Sequence, residues 1–286
     1  MKTRQKVVLS LLAKAPVLPT RTQFIKWLFL LRQESVLKDD PTFYDFLPYR
    51  YGPFSFVAYR ELDELARDGF LWDGQLTIPA EMAETVQQIV DALPRRAKDA
   101  IAHILASYGA LSNDDLIEVV YRRYPWYARR SELRPASSTP PAPLAIYTIG
   151  YEGKSVDAFL NNLLQAGIRR VIDVRHNPLS YKYGFSKTSL LKLADGVGIQ
   201  YTHIPELGIE SNQRKDLHSD GDYQRLLQAY EIEYLPRQSA ALEQAGKLLR
   251  EAPSALLCFE ADVQHCHRGC LALYLARLTD MQIIHL

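Results

Sequence analysis

Residues 255–277 read ALLCFEADVQHCHRGCLALYLAR, and the fold of the second half of the chain turns on them. The run Ala255-Leu256-Leu257-Cys258-Phe259 has the length and apolarity of a buried strand. Glu260 and a polar turn over 261–264 follow, then the dense group His265-Cys266-His267-Arg268-Gly269-Cys270. From there Leu271, Leu273, Tyr274, Leu275 and Leu278 fall at helical spacing. Strand, polar loop and helix in that order set the loop at the carboxyl edge of a sheet, where open α/β folds receive ligands. The free N–H groups and dipole of a helix N-terminus favour anions there. Arg268 in the first turn adds a fork of donors suited to phosphate or carboxylate. The stretch locates a site without naming its reaction.

The segment upstream has the same texture. Short apolar strands are expected over 145–149 and 170–174, with a helix over 155–166 between them; such a βαβ unit implies parallel pairing. A helix over 186–195, a strand over 199–204, a helix over 222–246 broken near Pro236 and a last strand over 282–286 complete a three-layer α/β domain. The strand tips are polar at one end: Gly150-Tyr151-Glu152-Gly153, then Asp173-Val174-Arg175-His176-Asn177-Pro178, then Pro205-Glu206-Leu207-Gly208, then 258–268. Their convergence predicts a ligand site built from Gly150, Tyr151, Glu152, Asp173, Arg175, His265 and Arg268, with Glu260, Cys266 and His267 as its chemical groups.

Each role has a sharp reading and a bland one. Arg175 and Arg268 could clamp an anion together, or Arg175 could simply pair with Asp173, two positions away on the same side of a strand. Glu260 could be a general base or an arginine partner. A Cys266 thiolate at a helix N-terminus would be a nucleophile, and a Cys that merely packs is the counterpart. Cys258, His265, Cys266, His267 and Cys270 invite a zinc reading. However, Cys258 lies among apolar neighbours like a core residue, and no second ligand pair at structural-zinc spacing follows. No metal is therefore expected, and no cofactor is indicated.

The motifs Tyr147-Thr148-Ile149-Gly150-Tyr151-Glu152-Gly153, Asp173-Val174-Arg175 with Pro178, and Cys258-Phe259-Glu260 with His265-Cys266-His267-Arg268 resemble those of the uncharacterised domain-of-unknown-function family 488, DUF488. The resemblance covers the second half of the chain. It implies a Rossmann-like α/β domain with its site at these motifs, and it assigns no reaction.

Before this domain the texture differs. Residues 135–143, PASSTPPAP, lack apolar periodicity and read as a linker between domains at 1–134 and 144–286. Helices are expected over 7–12, 21–37, 55–69, 81–93, 95–108 and 114–123. The aromatic run 43–54 contains Pro48, Gly52 and Pro53 and reads as a loop, and 70–78 reads as a hairpin around Asp73-Gly74. Helices followed by a small hairpin is the order of a winged helix, whose helix before the wing is available to a major groove. Arg122, Arg123, Arg129, Arg130 and Arg134 interleave with Tyr121, Tyr124, Trp126 and Tyr127, a pattern that can track a nucleic-acid backbone with stacking. Solvated arginines over core aromatics are the bland alternative. Tyr51-Gly52-Pro53-Phe54 and Tyr124-Pro125-Trp126 resemble the Panacea, or SocA-like, domain of antitoxins, which implies a helical module with DNA or protein partners.

Composition bounds the rest. With 47% hydrophobic and 23% charged residues over 286 positions, the chain has the makings of two folded domains. A net charge of +1 gives no global attraction to nucleic acid or membrane, and no apolar run spans a bilayer. Three cysteines, an odd number without framework spacing, point to a reducing cytoplasm. The expected fold class is thus α/β, a Rossmann-like three-layer domain with a mostly parallel sheet, preceded by a mainly helical winged-helix-like domain. Two functions stay open. One is an enzyme acting on a phosphate-bearing nucleotide or nucleic acid, and the other is a DNA- or protein-binding regulator with a ligand-sensing α/β domain.

Overall fold

A computed structural model describes residues 1–133, 140–214 and 219–286. The chain divides into two units, Met1–Ser138 and Thr139–Leu286. Arg134 and residues 135–139 of the expected linker lie outside the described residues.

The first unit is helical. Helix α1 spans Thr3–Lys14 and α2 spans Arg21–Glu34. Thr20 starts α2 with reciprocal bonds to Gln23, each satisfying an N–H that the helix cannot. From Gln23 to Leu31 every residue of α2 is buried, so this helix is the unit's axis, and the indole of Trp27 donates to the carbonyl of Tyr108. Strands β1 (Leu47–Tyr49) and β2 (Gly52–Phe54) form an antiparallel hairpin before α3 (Phe56–Arg67). Helices α4 (Ala83–Asp91), α5 (Arg95–Tyr108), α6 (Asn113–Arg123) and the short α7 (Pro125–Ala128) follow.

The hairpin is not where it was expected. Residues 70–78 contain no strand; they form a turn held by Trp72 N–H to Thr77 O and Gln75 N–H to Trp72 O. Each arm of that turn buries one leucine, Leu71 or Leu76, which is too little to anchor a ladder. Residues 43–54 read as a loop because proline cannot donate to a sheet. Yet Pro48 faces Pro53, and an antiparallel ladder bonds every second pair, so the bonds fall on the flanking pairs Leu47–Phe54 and Tyr49–Gly52. The two-stranded sheet therefore precedes α3, and no wing follows it among the described residues.

Lys26 is 1% exposed in the middle of α2, where its ammonium donates to Tyr51 O, and burial lowers its pKa to about 8. Between that value and its ordinary pKa the unfolded chain holds a proton that the folded lysine does not, so stability rises with pH through this window. Lys26→Met is expected to remove this rise. Its stability advantage over wild type should shrink by ~1 kcal/mol per pH unit between pH 8 and 10. Urea unfolding followed by tryptophan fluorescence measures it, because Trp27, Trp72 and Trp126 all belong to this unit. Parallel pH profiles for the two proteins would contradict the assignment.

The second unit is a five-stranded, all-parallel sheet. Strand β3 (Ile146–Gly150) leads through α8 (Val156–Gln165) to β4 (Arg170–Asp173), and α9 (Lys187–Gly196) leads to β5 (Gln200–His203). Helix α10 (Asp220–Ala229) runs into a π-helical turn (Tyr230–Tyr234) and a 3-10 turn at Pro236 (Leu235–Arg237) before α11 (Ser239–Glu251), followed by β6 (Ser254–Cys258), α12 (His267–Thr279) and β7 (Ile283–His285). The order across the sheet is β5-β4-β6-β3-β7. β3 and β4 are parallel but do not pair, because β6 lies between them. β6 is buried along its whole length, the condition for a strand at the centre of a covered parallel sheet. Ile146, Ile172 and Leu256 pack with Leu242, Leu249, Leu271 and Leu275 into one core cluster.

Candidate functional site

The site begins where the three central strands end. In the register of the sheet Gly150 stands beside Cys258, and Asp173 beside Leu257. The chain then doubles back, so that the peptide of Glu260 crosses directly over Gly150. A Cβ built on Gly150 would lie 1.8 Å from the Glu260 carbonyl oxygen, so this position admits no side chain. Glu152 fastens the crossing: its N–H donates to Phe259 O, and its carboxylate accepts from Ala261 N–H, both at 2.9 Å. Gly150 and Glu152 thus hold the loop that carries Glu260.

Arg268 holds it from the other side. It is 2% exposed, and its guanidinium donates to the carbonyls of Glu260 and Ala261. Arg175 is likewise buried and donates Nε and Nη2 to the two oxygens of Asp173, at 2.8 and 2.5 Å, and Nη1 to the Tyr151 hydroxyl. Tyr201 of β5 also donates to Asp173 Oδ2. The expected clamp of Arg175 and Arg268 on an anion is thereby corrected. A guanidinium removed from water needs acceptors within the protein; Arg175 has found them for all three nitrogens and Arg268 for its two terminal nitrogens, while the buried Nε of Arg268 has none. The bland reading of the Asp173–Arg175 pair is the one that holds.

At the same strand ends lies a buried cluster. Cys258 ends β6, Cys266 caps α12 in extended conformation, and His267 is the first residue of that helix; each is 1% exposed. One carboxylate oxygen of Glu260 accepts from both thiols, Cys258 Sγ at 2.9 Å and Cys266 Sγ at 3.0 Å. His267 Nε2 lies 3.0 Å from Val174 O, and Nδ1 lies 3.7 Å from Cys258 Sγ. A carbonyl only accepts, so Nε2 carries the proton and Nδ1 faces the cysteine. The ligand atoms of Cys258, Cys266 and His267 all lie within 4.8 Å of one another, a set able to hold a metal ion.

Electrostatics divides the cluster. The hydrogen bond with Cys266, followed by the neighbouring His267, pulls the Cys258 thiol below its ordinary range. Burial pushes the Cys266 thiol up, and burial with the adjacent Cys258 raises the Glu260 carboxyl. The expectation of an activated Cys266 is therefore corrected. Its side chain turns inward to a carboxylate, and the Arg268 guanidinium, bonded to carbonyls, lowers the thiol's pKa less than burial, Cys258 and Glu260 raise it. Cys258, read as core from its apolar neighbours, joins the site instead. A signal for it was present in the sequence: Cys258 and Glu260 are two apart at a strand end, which puts both side chains on one side.

A cavity of about 430 Å³ opens beside the cluster, lined by Tyr151, Arg175, His176, Lys182, Cys258 and Phe259 among others. Lys182 Nζ donates to Tyr151 O, and Lys154 Nζ to Gly150 O, just ahead of the N-terminus of α8. Among the described residues neither lysine forms an ion pair, although the Glu152 carboxylate lies close enough to Lys182 to raise its pKa slightly against the other effects. Burial lowers both pKa values, and each is lowered further by a neighbouring cation, Lys182 by Lys154 and Lys154 by Arg268. Sequence reading missed both lysines, since nothing local distinguishes them from surface residues.

The remaining predicted residues lie apart. His265 is exposed and pairs with Asp262 at 2.8 Å. In the first unit Tyr124 and Tyr127 stand edge-on to Phe29 in the core, and Arg129 lies over the Trp126 ring. Arg123 pairs with Glu34, Arg130 is engaged, and Arg122 is exposed. The tyrosines expected to stack on bases are thus used within the fold.

Residues 155–275 match the family model described as "Domain of unknown function DUF488". No curated protein and no solved structure matches the chain. The likeness of residues 1–134 to the Panacea domain finds no support. Among the described residues, no helix is long and apolar enough to cross a membrane.

Proposed function

We propose that the second unit is an enzyme acting on a small phosphate-bearing molecule of nucleotide size, bound in the cavity at the carboxyl edge of the sheet. The observation that carries this reading is the pair Lys154 and Lys182. Two ammonium groups are partly withdrawn from water and bonded to carbonyls, with no ion pair to either among the described residues; the Glu152 carboxylate acts on Lys182 only from a distance and is itself bonded to Ala261 N–H. An anion at this corner would relieve their mutual repulsion, and the N-terminus of α8 adds its own partial positive charge. The cavity volume suits a nucleotide, and Phe259 and Tyr181 offer exposed rings at its wall for a flat base. Its other wall is Cys258, behind which stand Cys266, Glu260 and His267. A substrate held by its phosphate would present its reacting end to that cluster, where Glu260 and His267 could move protons.

The test is calorimetric titration with inorganic phosphate and a panel of nucleoside monophosphates. Wild type is expected to bind at least one of them, and Lys182→Ala to weaken that binding about tenfold or more, the loss of one charge-assisted bond. The thermal stability of Lys182→Ala should stay near that of wild type, since a lysine bonded to one carbonyl supports little of the fold. Equal affinity in the two proteins, or no binding in either, would sink the proposal.

A further inference from the structure

We infer that Cys258, Cys266 and His267 bind one divalent transition-metal ion of the zinc type, with a fourth position shared by Glu260 and the adjacent cavity. The inference deepens the reading above and rests on it only for what the metal would act upon. It turns the cluster from a set of proton carriers into a Lewis-acid centre.

Four features of the cluster converge on this chemistry. The first is distance. The three ligand atoms lie within 4.8 Å of one another, whereas tetrahedral zinc with its usual bond lengths holds sulfur and nitrogen ligands about 3.5–3.8 Å apart. Side-chain rotations that bring the ligand atoms at most about 1 Å closer reach that spacing.

The second is the histidine. A metal-bound imidazole offers one nitrogen to the ion and gives its other N–H to a backbone carbonyl or carboxylate, which fixes the ring. His267 has this arrangement: Nε2 is held by Val174 O, and the Nδ1 lone pair faces Cys258. A histidine that only filled core space would have no need of a ring nitrogen facing the Cys258 thiol, with Cys266 Sγ within 4.8 Å.

The third is the donor set. Two thiolates and an imidazole are the soft and borderline ligands that favour zinc-type ions over magnesium or calcium. Three protein ligands with one open position are the pattern of catalytic zinc sites, whereas structural sites close all four. Here the fourth direction has a candidate in Glu260, whose Oε2 already touches both sulfurs, and an exit to the cavity along the wall formed by Cys258. On binding, the two thiol protons pass to solvent and the thiolates take the ion, so affinity falls in acid.

The fourth is rigidity. Cys258 ends a fully buried central strand, and Cys266 and His267 open a helix. Arg268 pins the loop between them to its own carbonyls. Seven residues separate Cys258 from Cys266 and His267 follows Cys266 directly, a spacing that carries no familiar zinc signature. The site is assembled by the strand, the loop clamp and the helix together.

The experiment uses the full chain, purified without chelator and dialysed, with metal content and protein measured on the same sample. About one equivalent of zinc per chain is expected. After stripping and reloading with Co²⁺, the thiolate-to-cobalt absorption should be present in wild type and in Cys270→Ser, whose thiol lies outside the cluster. Cys258→Ser, Cys266→Ser and His267→Gln should each lose at least nine-tenths of the bound metal. Zn²⁺ added to the stripped wild type should raise its melting temperature, which keeps the test open even where a variant folds poorly. Lys182→Ala should keep its metal, so failure of phosphate binding with metal retained would sink only the earlier reading. The metal site is overturned if reloaded wild type holds well under one equivalent. It is overturned equally if thiol titration of the unfolded chain finds Cys258 joined to Cys266 as a disulfide, or if Cys258→Ser binds metal as wild type does.

Discussion

An Asp173→Ala protein is expected to lose about 3–5 kcal/mol of stability in its second unit. Asp173 is fully buried and accepts from the backbone N–H, Nε and Nη2 of Arg175 and from the hydroxyl of Tyr201. Removing it leaves the Arg175 guanidinium charged, since nothing in a protein deprotonates it, and only 6% exposed. The loss approaches the whole stability of an ordinary domain. Hydrogen exchange of the β4 and β6 amides, followed by mass spectrometry, reads this unit directly. Asp173→Asn keeps acceptor capacity without the charge and should fall between the two proteins. A cost below about 1 kcal/mol for the alanine variant would mean that Arg175 finds water, and the pair would then lose its place as the keystone of this edge.

Gly150→Ala is the second large effect. The added methyl would stand 1.8 Å from a carbonyl oxygen, and that oxygen belongs to backbone, which cannot rotate aside like a flexible side chain. The Glu260 loop must lift off the sheet, breaking the bonds from Glu152 N–H to Phe259 O and from Ala261 N–H to Glu152. A destabilisation of about 3 kcal/mol or more is expected, at or above the upper end for overpacking. Because the loop carries Glu260, exchange protection should fall most over residues 259–265, with β4 much less affected. Unaltered protection of that loop would show that the crossing over Gly150 is looser than the geometry states.

That these residues gather at one sheet edge was legible in the sequence, and how they bond to one another there was not. Strand, polar loop and helix over 255–277 suffice to set His267 and Arg268 at a sheet edge, because each element is written in local periodicity. Whether Arg268 reaches out or in depends on the Glu260 and Ala261 carbonyls, whose direction is fixed by the crossing over Gly150, a tertiary event. Cys258 looked like core because its neighbours are core, and only the sheet register shows that it is the strand's last residue beside Gly150. The βαβ rule correctly gave parallel strands but could not reveal that a strand from much later in the chain would enter between them. In the first unit proline composition misled the reading of 43–54. A missing N–H matters only at bonded positions, and two facing prolines hide theirs from each other.

That late-entering strand has a consequence for how the protein is made. Ile146–Gly150 is buried throughout, yet its partners are Ser254–Cys258 and Ile283–His285. At synthesis rates of ~5–20 residues per second, β3 waits on the order of ten seconds after leaving the ribosome before its first neighbour exists. Throughout that interval an apolar strand with two open edges is exposed to other nascent chains. Such non-local pairing also slows folding once synthesis has passed residue 258. Fragments of the chain ending anywhere between 151 and 253 are therefore expected to aggregate.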